Sequence, residues 1–164
     1  MKNSVEDSDL TFDSIKQHSV PEIPPWTIKT PNVLFDLCND RKLDTSSVEF
    51  QSNFSELKSQ YPEHIAIYTD GSKDGDTVGC ASVSHLHDYR MRLPNKSSIF
   101  SAEVRAIDLT FRFITSRNEE KFIIFSDSLS VLQSLKGKKI TNPLIQNLLL
   151  KHYLLSSTRD IIFC

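Results

Sequence analysis

Long apolar runs, cysteine pairs and a one-sided charge are what this sequence lacks. No stretch approaches the roughly 20 apolar residues of a membrane-spanning helix, and Met1 leads into a polar, acidic segment instead of a basic-then-apolar export signal. An intracellular protein of cytoplasm or nucleus, with no membrane partner, is expected. Cys38, Cys80 and Cys164 lie far apart and form no C-x-x-C pair, which argues against a zinc knuckle or a disulfide framework. Reduced thiols packed in the interior are expected. The net charge of -2 argues against a generic basic nucleic-acid binder, and 164 residues leave room for one core with an appendage, not two full domains.

What is present is unevenly distributed. Residues 1–63 carry 11 acids against 6 bases, and residues 64–164 carry 10 acids against 13 bases. The second part is therefore basic, more so if some of its acids are neutralised by a cation, and such a surface suits a phosphate backbone. The first part has no sustained period up to about residue 44 and is interrupted by Pro21, Pro24, Pro25 and Pro31. It reads as an extended leader whose Trp26, Val33, Leu34, Phe35 and Leu37 dock on something, for example a preceding domain. Ser46 and Glu49 then form a capping box ahead of Phe50, Phe54, Leu57 and Tyr61, which predicts a short amphipathic helix over about 47–60. The domain boundary is expected at 63/64.

From Ile65 the pattern is that of strands. Ile65-Ala66-Ile67-Tyr68-Thr69 reads as a strand buried on both faces that ends at Asp70-Gly71-Ser72, placing Asp70 inside the fold. The Asp74-Gly75 turn predicts a hairpin to a strand over 77–84, and a third strand follows over 89–93. A helix is expected over about 98–117, with Glu103 near its start on or beside the apolar face. Residues 121–128 repeat the first design, an apolar strand running into Asp127. A helix capped by Asp127 or Ser128 and ended by Gly137, a helix over about 142–156 with Pro143 near its first position, and a strand from Arg159 complete the order.

Asp70 and Asp127, each at a strand end, and Glu103 on the helix between them would meet if the two strands are neighbours in the sheet. Three carboxylates in one pocket repel unless a hard divalent cation sits among them. Magnesium (Mg2+) suits such oxygen ligands best, and a pair of ions can clamp a phosphodiester. Taken singly, each residue has a plainer reading, a turn aspartate or a solvated helix glutamate; their order and placement together point to a site.

Tyr68-Thr69-Asp70-Gly71-Ser72, Phe100-Ser101-Ala102-Glu103 and Phe125-Ser126-Asp127-Ser128, in β-β-β-α-β-α order, resemble the type 1 ribonuclease H domain. The wording is most similar to the version in non-LTR retrotransposon polyproteins, where a similar leader and helix follow the reverse transcriptase. The resemblance covers residues 64–164. It implies a mixed α/β sheet flanked by helices and hydrolysis of the RNA strand of RNA·DNA hybrids. Asp70, Glu103 and Asp127 would be the catalytic metal ligands for two magnesium ions, with manganese able to substitute. One ion would activate the attacking water and the other would stabilise the leaving oxygen. It further implies an upstream reverse transcriptase as partner and contacts to nucleic acid through Gly71, Ser72, Ser101, Ser128, Lys136, Lys138 and Lys139.

The sequence departs from bacterial members, which carry asparagines where it has Ile99 and Phe100 and a glutamine where it has Leu129. The family also continues into a Trp-x-Pro-x-His-type loop and a final helix with a fourth carboxylate. Neither is found here, so a truncated domain with weakened or lost catalysis is expected. The alternative is an inactive remnant that only binds nucleic acid or a partner. An EF-hand reading of Asp70 to Asp74 fails because Ala81 stands where a bidentate glutamate is needed. His85 and His87 share one face of a hairpin edge in this reading, and Arg90 and Arg92 share a face that can follow phosphate.

Overall fold

A computed structural model describes residues 28–38, 46–137 and 140–164. Six strands, β1 (Asn32–Val33), β2 (Ile65–Asp74), β3 (Thr77–Ser84), β4 (His87–Leu93), β5 (Lys121–Ser126) and β6 (Asp160–Phe163), form one sheet in the order β1-β6-β5-β2-β3-β4. The β2–β3 and β3–β4 pairs are antiparallel, whereas β2–β5, β5–β6 and β6–β1 are parallel. Helices α1 (Ser47–Ser59), α2 (Ile99–Thr115), α3 (Leu129–Lys136) and α4 (Pro143–Leu155) flank it. This is the mixed sheet expected of a ribonuclease H-like fold. No helix among the described residues is long and apolar enough to cross a membrane.

Local chemistry explains the boundaries. Gly75 takes φ +54°, which a side chain would resist, and this lets two residues close the β2–β3 hairpin. Ser46 caps α1 by accepting the Glu49 N–H at 3.2 Å, and Ser98 caps α2 by accepting the Ser101 N–H at 3.0 Å. Asn142 caps α4, whose first residue is Pro143. Gly137 ends α3 in extended conformation at φ -65°, so its glycine character is not what stops the helix.

The core lies on both faces of the sheet. One face buries Ile67, Phe122, Ile124 and Phe163 against Ile107 and Phe111 of α2 and Leu148 of α4. The other buries Ile123, Phe125, Ile162 and Cys164 under Leu57 of α1, with Phe54 and Tyr61 at the edge. Central β5 and β6 are thus buried on both sides, which accounts for their continuous apolar wording. Cys80 also packs in the interior, where burial pushes its thiol pKa up; the side chain of Cys38 lies outside what is described.

Three expectations change. β2 does not end at Asp70 but runs on to Asp74, and it is buried on one face only: Ile67 and Thr69 are buried while Tyr68 and Asp70 are exposed. The ladder with β3 continues from Tyr68 to Asp74, past the point where the apolar wording stops. Val33 and Phe35 dock on this domain's own core, and β1 pairs with β6, so these leader residues need no other domain to cover them. Trp26 and the leader prolines at 21, 24 and 25 lie outside the described residues. His85 sits in the β3–β4 turn and shares no strand face with His87, whose ring stacks on Phe113 at 3.8 Å and bonds Ser82 and Ser84.

Two buried ionisable residues lie where α2 and α4 meet each other and the sheet. Asp108 of α2 is 4% exposed and meets Arg105 at 2.8 Å, Arg112 at 3.7 Å and Lys151 of α4. Burial alone would raise its carboxyl pKa, but the hydrogen bonds from Lys151 and Arg105 outweigh that and hold it below the ordinary value. His152 of α4 is 5% exposed beside Phe163, and burial pushes its pKa down from 6.5 to about 4. Its depressed folded pKa means that the unfolded chain takes up the proton first. Stability from this residue is therefore complete above pH 6.5 and lost as pH falls toward 4, by about 2 kcal/mol at pH 5. Denaturant titrations at pH 7.5 and pH 5 should show that loss in the parent and a smaller one in His152→Leu; equal losses in both would remove His152 as the cause.

Candidate metal centre

The site begins with the parallel pairing of β2 and β5. The register sets Tyr68 beside Phe125 and Thr69 beside Ser126, and the Thr69 hydroxyl donates to the Phe125 carbonyl at 3.2 Å. One further step along both strands brings Asp70 beside Asp127. There β5 ends and the chain turns into α3, with the Leu129 N–H donating to the Asp127 carbonyl at 3.1 Å. The Ser128 N–H donates to the Ser126 hydroxyl at 3.3 Å. Ser128 is the N-cap residue of α3, but its side chain makes no cap bond, contrary to the simplest reading of the sequence.

Glu103 arrives from the opposite face. It lies in the second turn of α2, and the helix crosses β2 so closely that a Cβ added to Gly71 would stand 2.7 Å from the Glu103 nitrogen and 2.8 Å from its carboxyl carbon. Only a missing side chain permits that approach. One carboxylate oxygen each from Asp70, Glu103 and Asp127 consequently falls within 4.8 Å of the others, with the two aspartates exposed and the glutamate buried.

The electrostatics follow from the geometry. Glu103 is 7% exposed. Burial first, then the negative charges of Asp127 and Asp70, push its pKa from 4.5 up to about 7, while the Gly71 amide pulls partly the other way. Its Oε2 is buried without a hydrogen-bond partner. An orphaned oxygen beside two more carboxylates is a poor arrangement for the protein alone and a good one for a hard divalent cation. The donor set fits such a cation.

The other candidate residues fall in different places. Gly71 serves the helix crossing. Ser72 is exposed on β2, two residues along the same face as Asp70. Ser101 bonds Ser98 at 2.9 Å in the first turn of α2. Lys136 turns toward the β1 segment, donating to the Val33 carbonyl at 3.4 Å with its ammonium 4.8 Å from the Phe35 ring centre. Lys138 and Lys139 lie outside the described residues. Asp108 and His152 escaped the sequence reading because each sits alone on a helix face, with no motif to mark it.

No protein-family model matches this chain, and no curated protein does. Among solved structures it is similar to ribonuclease H1 from the halophilic archaeon Halobacterium salinarum, at 16% identity and TM-score 0.47, over 61% of this chain and 82% of that one. It is similar also to the N-terminal ribonuclease H domain of a Mycobacterium tuberculosis protein, solved as a fusion with maltose-binding protein. That match has 17% identity and TM-score 0.48 over 61% and 84% of the two chains. A third, a ribonuclease H1 in complex with an RNA/DNA hybrid, matches at 20% identity and TM-score 0.44 over 61% and 83%.

Two outcomes follow from the crossing and the charge. Gly71→Ala forces backbone against backbone and should cost about 1–3 kcal/mol in denaturant unfolding; a change within a few tenths would mean that α2 lifts away freely. Because the Glu103 pKa is raised on folding, its stabilising contribution is present below pH 4.5 and lost as pH rises through 7. Glu103→Gln should therefore raise the melting temperature at pH 8 without divalent cation. A lowered value would show that the carboxylate is structural.

Proposed function

We propose that this chain is a divalent-cation-dependent endonuclease of the ribonuclease H type that hydrolyses the RNA strand of RNA·DNA hybrids. The observation that carries it is the convergence of Asp70, Glu103 and Asp127 within 4.8 Å, with the glutamate buried and one of its oxygens orphaned. Asp70 and Asp127, exposed where the pairing of the central strands β2 and β5 ends, would hold the cation where substrate can reach it, and buried Glu103 would anchor it from below. Magnesium bound there would supply positive charge to the phosphate and lower the pKa of an attacking water. Glu103 must be ionised to serve, so cation affinity rises with pH through about 7. The wording of the three motifs supports descent from a non-LTR retrotransposon polyprotein, with a reverse transcriptase domain as the natural upstream neighbour.

The test is cleavage of a labelled RNA·DNA hybrid in magnesium and in manganese, comparing the parent with Asp70→Asn. Cleavage confined to the RNA strand and reduced at least about 100-fold by the substitution, roughly 3 kcal/mol of barrier, is the expected result. Cleavage indifferent to the substitution would sink the proposal. Binding of the hybrid with no cleavage in either cation would leave an interaction domain in its place.

A further inference from the structure

The outer face of the antiparallel strands carries a pattern that the carboxylate cluster does not use. Strand alternation and register put Asp70, Ala81 and Arg90 in one row across β2, β3 and β4, and Ser72, Gly79 and Arg92 in the next. The opposite face of the same strands is packed: Val78, Cys80, Met91 and Leu93 sit with Ala102, Ala106 and Leu109 of α2. In these two rows the middle strand offers only Gly79 and Ala81, so between Thr77 and Val83 the surface dips into a shallow trough of about 380 Å3 walled by Asp70 and Ser72 on one side and Arg90 and Arg92 on the other.

The two arginines are not equivalent. Arg90 is held by Asp88 through two hydrogen bonds of 2.9 and 2.8 Å, Nε to Oδ1 and Nη2 to Oδ2, which occupies its fork. Arg92 is exposed and has no hydrogen-bond or ion-pair partner among the described residues. It lies two strand spacings, about 10 Å, from the β2 residues beside the carboxylates. An unengaged guanidinium at that distance, across a floor of glycine and alanine, is complementary to a backbone phosphate neighbouring the one at the carboxylates.

We infer that this trough seats the nucleic-acid backbone leading to the carboxylate cluster, with Arg92 contacting a phosphate and Gly79 and Ala81 kept small to let the strand lie close. The inference rests on the function proposed above and names a contact surface for it. Arg92 is a binding residue here, not a catalytic one, since the reacting atoms lie beyond its row. The floor is a steric device: a Cβ at Gly79 would meet the Met91 carbonyl at 3.5 Å and the Ser72 hydroxyl at 3.6 Å, ordinary contacts, so a larger residue fits the fold while filling the trough.

The experiment measures binding of a labelled RNA·DNA hybrid in magnesium over a salt series, in a Glu103→Gln background that prevents turnover. Each variant's fold is checked by its melting curve. Arg92→Ala should weaken binding about 5- to 10-fold near physiological salt and reduce the slope of log K against log salt by about 1. Arg92→Lys should restore the slope, and Arg90→Ala should change it less. Gly79→Leu should weaken binding with the slope unchanged, because it removes space and no charge. Hybrid binding that is the same in Arg92→Ala and Gly79→Leu as in the background would overturn the trough, even where the cleavage lost in Asp70→Asn upholds the ribonuclease. If the background does not bind the hybrid while the parent cleaves it, the trough falls and the ribonuclease stands; if the parent neither binds nor cleaves it, both fall.

Discussion

Everything in this structure that bears on chemistry depends on how closely α2 crosses β2. The sheet alone could bring together two aspartates, because the parallel register of β2 and β5 sets Thr69 beside Ser126 and so the next residue of each chain segment side by side. It could not supply the third carboxylate, which comes from a helix on the far face. Gly71 resolves this by having no side chain where the Glu103 backbone and carboxyl carbon come within 3 Å of the position a Cβ would take. The close approach also buries the glutamate, and burial raises its pKa more than either neighbouring charge does. One missing side chain thus sets the position of the group and contributes to its raised pKa.

The surroundings of that crossing are built to hold it. Ala102 and Ala106 keep α2 near the strands, and Cys80 and Val78 fill the remaining space. Farther along the same helix, Asp108 is clasped by Arg105 and by Lys151 from α4, so that α2 is tied on its other side as well. A buried ion cluster of this kind contributes more to placing two helices than to net stability, because the desolvation of its carboxylate offsets much of the attraction. The result is a site whose helix is packed and ion-paired while its two aspartates open to solvent. The cost is a buried carboxyl oxygen of Glu103 without a hydrogen-bond partner.

The two faces of the sheet have opposite characters for a physical reason. Strands β5 and β6 are buried on both sides and are apolar over residues 122–125 and 161–163. Strands β3 and β4 are packed only against α2, and their other face carries glycine, alanine and arginine. Period-two alternation is what makes this possible, since each residue on those strands answers to one face only. The exposed face adjoins the carboxylates because β3 pairs directly with β2.

Local signals decided most of the element order. The Asp74-Gly75 turn, the Ser46 and Ser98 caps, Pro143 at a helix start and the long apolar run of 122–125 each act within a few residues, and each element they mark is present. The three carboxylates were legible too, because their motifs are local and their spacing follows the fold. What depended on distant partners was not legible. The exposure of Asp70 came from β3 extending the ladder past it, the docking of Val33 came from β6 being an open parallel edge, and the burial of Asp108 and His152 came from α2 and α4 lying together. Gly71 stands on the boundary between the two. The sequence alone marked the aspartate before it and the glutamate 32 residues on, but only the tertiary structure decided why glycine is required there, because the atoms that exclude a side chain belong to a helix on the other face of the sheet.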